Sequence, residues 1–330
     1  MNNKYFTLFK TGWLGLLLAC AVGFISYFLK ELIKSPLVDS LLVAMILGII
    51  IRTAISNNKK LIPGFVLAPL VFIPIGVIFY GAVNLNFVKI AQIDAKFIIL
   101  LLAIILVYIG VILGLGKFLK QRKQVTYLVA TGSAICGASA IAITAPTVEA
   151  DPDDVSTSLI SVFVVASFGL FILLPFLNSL LGMSEQIFAL FSGMTLQFTG
   201  FVKVAAGELT KEMSSLALSV KAARYIGLLF VIPYFASLIK KKIHIPWFLW
   251  AFLGTGLLFS FLPKMIINSL MPILKPTLDI LWAMAMAGIG LNADIKALIS
   301  DNGLKALLMA FCGFIAAVLT FFIGIAVIGA

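Results

Sequence analysis

The chain has 330 residues, of which 62% are hydrophobic and only 11% are charged, and its mean hydropathy is +1.17. Soluble domains carry about 45–50% apolar and about 25% charged residues, so this composition excludes a water-soluble globule, a disordered chain and a disulfide scaffold. The net charge of +11 does not indicate a nucleic-acid partner, because no stretch of the sequence combines a basic face with aromatic residues on a soluble element.

The N-terminus carries Lys4 and Lys10 before an apolar run that reaches Cys20, which resembles a signal peptide. The run continues through Phe28, so we expect an uncleaved first helix. A membrane span needs roughly 20 apolar residues. Splitting the chain at its charge and Gly/Pro clusters predicts about eleven spans (ten to twelve), near residues 11–30, 37–55, 64–84, 96–117, 126–148, 155–180, 186–206, 214–239, 246–262, 276–291 and 304–328. We therefore expect an all-α polytopic membrane protein with a single transporter domain over residues 1–330.

Basic residues cluster in alternate loops, which predicts the orientation by the positive-inside rule. With the N-terminus in the cytoplasm, the loops with Lys59–Lys60, Lys117–Lys123 and Lys240–Lys242 face the cytoplasm, and the acidic loop Glu149–Asp154 faces outward. An odd number of spans then leaves the C-terminus outside. We expect a bacterial inner-membrane protein in this orientation, surrounded by membrane lipid.

Weak internal symmetry favours inverted repeats. Pro69 is followed by Leu85-Asn86 at the end of the third span, and Pro276 is followed by Leu291-Asn292 at the end of the tenth. An odd offset between two spans makes the repeats antiparallel, as in inverted-repeat transporters. The repeats would cover roughly residues 1–150 and 180–330. A pairing of the fifth span with the tenth and a chance resemblance between apolar helices both stay open.

Glycine and serine residues interrupt the fifth predicted span at Gly132–Ala140 (GSAICGASA), before Pro146. Glycine inside a helix costs about 1 kcal/mol relative to alanine, so the pattern suits a helix that is broken within the membrane. A break exposes backbone N–H groups and a positive dipole end, which bind anions. The alternative is a small-residue packing face, and spacing does not decide between the two. The candidate substrate-binding residues here are Ser133, Cys136, Gly137 and Ser139.

Polar residues also enter the seventh and eighth spans. On the eighth span, Lys221 and Arg224 lie three residues apart and hence on one helical face. A charge inside a membrane span costs several kcal/mol, so both cations are functional candidates, unless they snorkel to the interface from the helix end. The candidate substrate-binding residues of the seventh span, between Gly193 and Gly207, are Thr195, Gln197, Thr199 and Lys203.

Asp279, near the start of the tenth span, is the acid that we name as an ion-pair partner of these cations or as a proton-coupling group. If the three segments converge, their cavity holds more cations than acids, which favours a small anion as cargo. Hydroxyl, N–H and Lys/Arg groups suit an oxyanion or a carboxylate, and they need no metal or cofactor. Sodium coupling would instead use backbone carbonyls at half-helix C-termini.

An enzyme function is not expected. The only histidine, His244, follows Lys240–Lys242, which favours a loop residue over a catalytic base. A disulfide framework or zinc site is not expected either, because Cys20, Cys136 and Cys312 lie in apolar runs without metal-ligand spacing. A channel, a structural membrane subunit and a homo-oligomer stay open as alternatives.

Several motifs in the same order along nearly the whole chain resemble the bacterial YeiH-like inner-membrane proteins, a family described as sulfate exporters. These motifs are Gly76–Gly81, GSAICGASA with Pro146, Val204–Gly207, Lys221 with Arg224, Ile245–Phe248, and Leu278-Asp279 leading into Ala283–Ala287 and Gly290-Leu291. One departure is that Gln197-Phe198 stand where the family carries a histidine-containing run. Another is that an arginine before Gly76 is absent.

The resemblance implies a multi-spanning carrier similar to the bile-acid-symporter-like inverted-repeat folds, with sulfate or a related sulfur oxyanion or sulfonate as the cargo. It also implies alternating access. A carrier for a small carboxylate or for bicarbonate, coupled to sodium or protons, is the alternative that the residues leave open.

Overall fold

The computed structural model describes residues 2–35, 38–55, 60–241, 245–293 and 300–329. Within these ranges every regular element is helical, which confirms the predicted all-α class. His244 lies outside the described residues. In chain order the α-helices are α1 (Asn2–Ile33), α2 (Ser40–Ile55), α3 (Ile62–Asn84), α4 (Phe87–Ile90), α5 (Ala95–Phe118), α6 (Lys123–Thr131), α7 (Ala138–Thr144), α8 (Pro152–Phe168), α9 (Leu174–Leu181), α10 (Glu185–Thr195), α11 (Thr199–Ala205), α12 (Lys211–Arg224), α13 (Leu228–Lys240), α14 (Trp247–Phe261), α15 (Lys264–Gly290) and α16 (Asp301–Ile328).

Seven stretches of the described chain are helical, long and apolar enough to cross a membrane. They are Gly12–Ile33, Ile62–Asn84, Ala95–Phe118, Pro152–Leu181, Lys211–Lys240, Lys264–Gly290 and Asp301–Ile328. A π-helical turn at Gly169–Leu173 joins α8 to α9, and a 3₁₀ turn at Tyr225–Gly227 joins α12 to α13. The shorter apolar helices Ser40–Ala54 and Trp247–Phe261 correspond to the second and ninth predicted spans. The protein is therefore a polytopic membrane protein, as predicted.

The fifth and seventh predicted spans are both interrupted. The fifth is built from α6, a π-helical turn at Gly132–Cys136 and α7, and the seventh from α10 and α11 with an extended segment between them. With these two segments, each of the eleven predicted spans has a helical counterpart in the same order. The small-residue pattern at Gly132–Ala140 thus marks a broken helix, which is the first of the two interpretations that spacing left open.

The tenth span begins earlier than expected. We placed its start at Pro276, but α15 runs from Lys264 to Gly290 with Pro272 and Pro276 inside it. Proline is tolerated within membrane helices because neighbouring helices and local adjustments satisfy the backbone groups that it leaves free. The two prolines therefore do not end the helix.

One of two compact units consists of Met1–Asn84, Ala150–Ser156 and Pro246–Ser300. Within it α15 packs against α1, α2 and α3, and α14 packs against α3. Close approach of backbones needs glycine at the contacts, since a Cβ at Gly23 would overlap the backbone of Met284. An ion pair joins Lys30 of α1 to Asp279 of α15 within this unit.

The other unit consists of Leu85–Glu149, Thr157–Ile245 and Asp301–Ala330. Within it α16 packs along α5, and α10 packs along α12. Its core holds aromatic side chains with no exposed surface, among them Tyr108, Phe191 and Phe321, and the rings of the two phenylalanines meet edge to face with centroids 5.2 Å apart. This packing brings α12 beside both interrupted segments. The division of the sequence into inverted repeats stays a prediction.

Candidate functional site

The first break lies at Gly137. The N–H of Gly137 donates to the carbonyl oxygen of Gly132 at 2.9 Å, which closes a π-helical turn, and the chain then turns with φ 69° and ψ −126°. An L side chain rarely adopts this φ. A Cβ at Gly137 would also lie 2.9 Å from the ring of Phe198, so glycine is required for two reasons. In a continuous α-helix each carbonyl group accepts a hydrogen bond from the N–H group four residues later. The turn removes these donors from the carbonyl groups of Ser133, Ala134 and Ile135.

The second break lies between α10 and α11. Leu196 (φ −65°, ψ 136°) and Phe198 (φ −95°, ψ 137°) have extended backbone, and α11 resumes at Thr199. The end of α10 is stabilised from α5, because the Tyr108 hydroxyl donates to the carbonyl oxygen of Thr195 at 2.8 Å. Gln197 Nε2 in turn donates to the Tyr108 hydroxyl at 3.3 Å. The break exposes further carbonyl oxygens at the C-terminal end of α10.

Lys221 lies on α12 with no exposed surface and bonds to both breaks. Its ammonium Nζ donates to the carbonyl oxygens of Ile135 at 2.9 Å, Leu196 at 2.8 Å and Gln197 at 2.6 Å. An ammonium has three donors and all three are used here. The side chain therefore does not snorkel to a surface; it joins the two breaks.

Arg224 is equally buried and bonds to the same two segments. Nε donates to Ala134 O at 3.0 Å and Nη2 donates to Ser133 O at 2.8 Å, both in the π-helical turn. Nη1 donates to Leu196 O at 2.8 Å and is 3.4 Å from the carbonyl oxygen of Gly193 at the end of α10. The planar guanidinium, with its fixed fork of donors, suits carbonyls that arrive from two directions.

The electrostatic balance of this cluster is positive. The carbonyl groups at the C-terminal ends of broken helices carry partial negative charge, and cations near them are favourable. In the part of the chain that the structure describes, every hydrogen-bond acceptor of Lys221 and Arg224 is a backbone carbonyl, and neither cation is paired with a carboxylate. The guanidinium of Arg224 stays charged, and only partial dipole charges face it and Lys221, so the cluster has a net positive potential.

Two buried polar atoms of the cluster have no hydrogen-bond partner among the described residues, Ser133 Oγ and Gln197 Oε1. The amide orientation of Gln197 follows from Tyr108, whose single hydroxyl hydrogen is given to Thr195 O, so Gln197 must offer its NH₂ group to that hydroxyl. Ser133 can donate or accept, whereas Gln197 Oε1 can only accept. A bound molecule or water is the usual partner of such atoms.

The other predicted site residues are distributed unevenly. Thr195 is buried and its hydroxyl donates to the Phe191 carbonyl oxygen at 2.7 Å, while Thr199 Oγ1 and the Tyr225 hydroxyl form a hydrogen bond of 2.8 Å. Cys136 is buried at the end of the π-helical turn, and Ser139 is half-buried on α7. Lys203 differs from Lys221 and Arg224, because its side chain is exposed on α11.

Asp279 is in an ion pair, but its partner differs from the expected one. We expected Lys221 or Arg224, whereas the carboxylate pairs with Lys30, and both side chains are about three-quarters buried. Within their own unit, α1 and α15 pack side by side, so the carboxylate and ammonium groups meet. Asp279, which lies in the middle of α15 and not near its start, thus serves this pair, and the two cations of α12 take backbone acceptors instead.

Sequence reasoning missed Tyr108, which supports the second break. A signal was present, because Tyr108 is the only polar side chain between Phe97 and Lys117 of α5. A tyrosine hydroxyl that is buried in a span usually finds a partner, so its position indicates a contact with another segment. Lys30 was also missed as the partner of Asp279, since it lies at the end of α1, where a basic residue reads as an interfacial anchor.

Comparison with known proteins places most of the chain in one family. The profile described as "Conserved hypothetical protein 698" matches residues 14–310. A UPF0324 membrane protein of Bacillus cereus is 29% identical over 298 residues, which cover 86% of this chain and 82% of the relative. A UPF0324 membrane protein of Archaeoglobus fulgidus is 27% identical over 303 residues, which cover 90% of this chain and 88% of the relative. No solved structure matches.

The names of these relatives state a membrane location and no cargo. The family profile covers far more than half of the chain, and the matched region includes both breaks and the two buried cations. The protein therefore belongs to the family described as conserved hypothetical protein 698, the UPF0324 or YeiH-like membrane proteins, as the sequence motifs predicted.

Proposed function

We propose that this protein is a secondary carrier that moves a small anion across the bacterial inner membrane by alternating access. The observation that carries the proposal is the pair of fully buried cations, Lys221 and Arg224, which lie between two broken segments without a carboxylate among their described partners. Ionisable residues inside membrane spans are rare and mark functional sites, among them substrate and ion pathways. A net positive cluster favours entry of an anion over a cation.

The cargo that we propose is sulfate or a related sulfur oxyanion or sulfonate. The positive cluster supports an anion in general, and the sulfur oxyanion rests on the resemblance to the YeiH-like sulfate exporters. Ser133 Oγ adds a buried hydroxyl that lacks a partner among the described residues and that can donate to an oxyanion. A small carboxylate or bicarbonate shares this chemistry and is the second candidate class.

Irregular backbone at membrane depth favours a carrier over a structural subunit. Broken helices are tolerated where they are buried in protein or line a watery path, and they are typical of substrate sites in secondary transporters. A channel is the competing interpretation, and kinetic measurement separates the two. We propose no enzymatic activity, no resident cofactor and no nucleic-acid partner, and we place the N-terminus in the cytoplasm and the C-terminus outside.

The test is transport by the purified protein in proteoliposomes. We expect saturable uptake of radiolabelled sulfate, accelerated by sulfate, sulfite, thiosulfate or taurine loaded on the opposite side, because a carrier exchanges cargo through one site. Uptake of bicarbonate and of small carboxylates is measured in parallel, because these anions are the second candidate class of cargo. Arg224→Gln is expected to lose this exchange, whereas Lys211→Ala on the same helix keeps it, since Lys211 is exposed. Flux without saturation and without counterflow would indicate a channel.

A further inference from the structure

The surroundings of the Lys221 ammonium resemble those of a bound monovalent cation. Three carbonyl oxygens from two broken segments converge on Nζ at 2.6–2.9 Å, and none of them belongs to α12 itself. Leu196 and Gln197 supply two of these oxygens from the extended segment after α10, and Ile135 supplies the third from the π-helical turn. We call these three carbonyl groups the carbonyl cradle.

Carbonyl oxygens of unwound backbone and of half-helix C-termini are the groups that coordinate a coupling sodium ion in secondary transporters. Such oxygens carry the negative end of the helix dipole, so an empty cradle would bring several partial negative charges together without a counter-charge. Here a covalently attached ammonium occupies this place, and two of its three hydrogen bonds, at 2.9 and 2.8 Å, have the normal N–H···O length.

We infer that the carbonyl cradle is a monovalent-cation site that the chain fills with its own Lys221 ammonium, so that the carrier holds no coupling sodium there. The consequence for coupling rests on the proposed transport function, whereas the site itself does not. The ligand class that fits a vacated cradle is a small monovalent cation, with ammonium or a short primary alkylammonium closest to the chemistry of the lysine.

Shortening Lys221 is expected to vacate the cradle and leave the neighbouring segments joined. Arg224 holds Ser133, Ala134 and Leu196 by its own bonds, and only the Leu196 oxygen is shared with Lys221. In Lys221→Ala the oxygens of Ile135 and Gln197 lose their described donor, and the space of the butylammonium chain opens beside them. A cation that enters this space regains the lost interactions.

The experiment measures thermal unfolding of the detergent-purified protein in chloride salts of Na⁺, K⁺, ammonium, methylammonium, propylammonium and, as a bulky reference, choline, at constant ionic strength. A ligand that binds only the folded state raises the Tm with concentration. We expect Lys221→Ala to have a lowered Tm that rises saturably with ammonium or another small cation and not with choline. For the wild type and for Lys211→Ala, we expect a Tm that does not change from one salt to another.

A second variant controls for loss of folding and for volume. Lys221→Met fills the same space without a charge, so its Tm is expected to be low and insensitive to all of the cations. If Lys221→Ala is not recovered folded, Lys221→Ser, which keeps one donor, takes its place. A saturable rise of the wild-type Tm with Na⁺ would overturn the inference. So would a folded Lys221→Ala protein whose Tm no cation raises. The Tm experiment measures cation binding and needs no transport. The proposed sulfate transport can therefore fail its own test without affecting the test of the carbonyl cradle.

Discussion

Lys221 and Arg224 share one acceptor, the carbonyl oxygen of Leu196, which lies 2.8 Å from Lys221 Nζ and 2.8 Å from Arg224 Nη1. Each cation also holds carbonyls of the π-helical turn, so each one joins both breaks. Two like charges one helical turn apart would repel in a dry interior. Carbonyl oxygens around them provide the compensation, and the two side chains act as one unit.

This sharing predicts non-additive stability effects. A buried carbonyl that loses its donor costs about 1–3 kcal/mol, so Lys221→Ala and Arg224→Ala are each expected to lower the Tm clearly. In each single variant the Leu196 oxygen keeps its other donor and the charge repulsion is already relieved, whereas the double variant removes the last donor without further relief, so the combined loss is larger than the sum. Thermal unfolding of the four proteins in one detergent measures this. Strict additivity would contradict the shared role of Leu196, and Lys211→Ala serves as the neutral control.

Gly137→Ala is expected to destabilise the first break. A non-glycine residue at an unfavourable positive φ costs about 1–3 kcal/mol, and the added Cβ also meets the Phe198 ring. Replacing the ring with a smaller side chain in Phe198→Leu removes the contact and leaves the φ strain. The double variant Gly137→Ala with Phe198→Leu is therefore expected to recover only part of the Tm that Gly137→Ala loses. Gly110→Ala on α5 is the matched control, because a Cβ there meets nothing within 4 Å and alanine favours the helix. Equal Tm values for the two glycine variants would refute the argument.

Tyr108→Phe removes one hydroxyl and leaves the ring in place. The change takes the donor from Thr195 O and the acceptor from Gln197 Nε2, which costs about 1–3 kcal/mol for buried groups left unpaired. We expect a lowered Tm together with weaker anion exchange, since the second break loses its support from α5. Tyr234→Phe is the control because Tyr234 is exposed. A variant with wild-type stability and exchange would show that the hydroxyl does not support this break.

The Lys30–Asp279 ion pair is expected to be structural. Both side chains are about three-quarters buried, so neutralising one of them leaves the other charge without its partner and is expected to cost more than the roughly 1 kcal/mol of an exposed pair. Lys30→Met with Asp279→Asn removes both charges and is expected to recover the stability that either single change loses, with anion exchange retained. Proteoliposome exchange measured at several pH values tests the alternative that Asp279 couples protons. Loss of pH-dependent exchange in the double variant would assign the coupling to this acid.

The proposed orientation predicts in which compartment a reporter fused to the C-terminus is active. Since basic loops are retained on the cytoplasmic side, a fusion to the C-terminus is expected to be active with a periplasmic reporter and inactive with a cytoplasmic one. A fusion in the basic loop near Lys120 is expected to show the opposite pattern and serves as the control. Cytoplasmic activity of the C-terminal fusion would reverse the assignment.

Hydropathy and glycine placement determined much of this protein from the sequence alone. The membrane class and the order of the helical segments followed from local properties, because a span needs a long apolar run, whereas the small residues of Gly132–Ala140 left a broken helix and a packing face both open. Proline was a weaker guide, since Pro272 and Pro276 lie within α15. A buried environment in the membrane satisfies the backbone groups that proline frees, and the sequence does not reveal that environment.

Only the tertiary structure decided which groups meet. Lys221 bonds to Ile135, 86 residues away, and Asp279 pairs with Lys30, 249 residues away. Helices that are apolar on all sides carry little information about which face meets which neighbour, because lipid and protein interior solvate them alike. The sequence therefore identified the cations and the interrupted segments as candidates, and the packing of α12 against both breaks decided that the cations are buried and that backbone carbonyls are their partners.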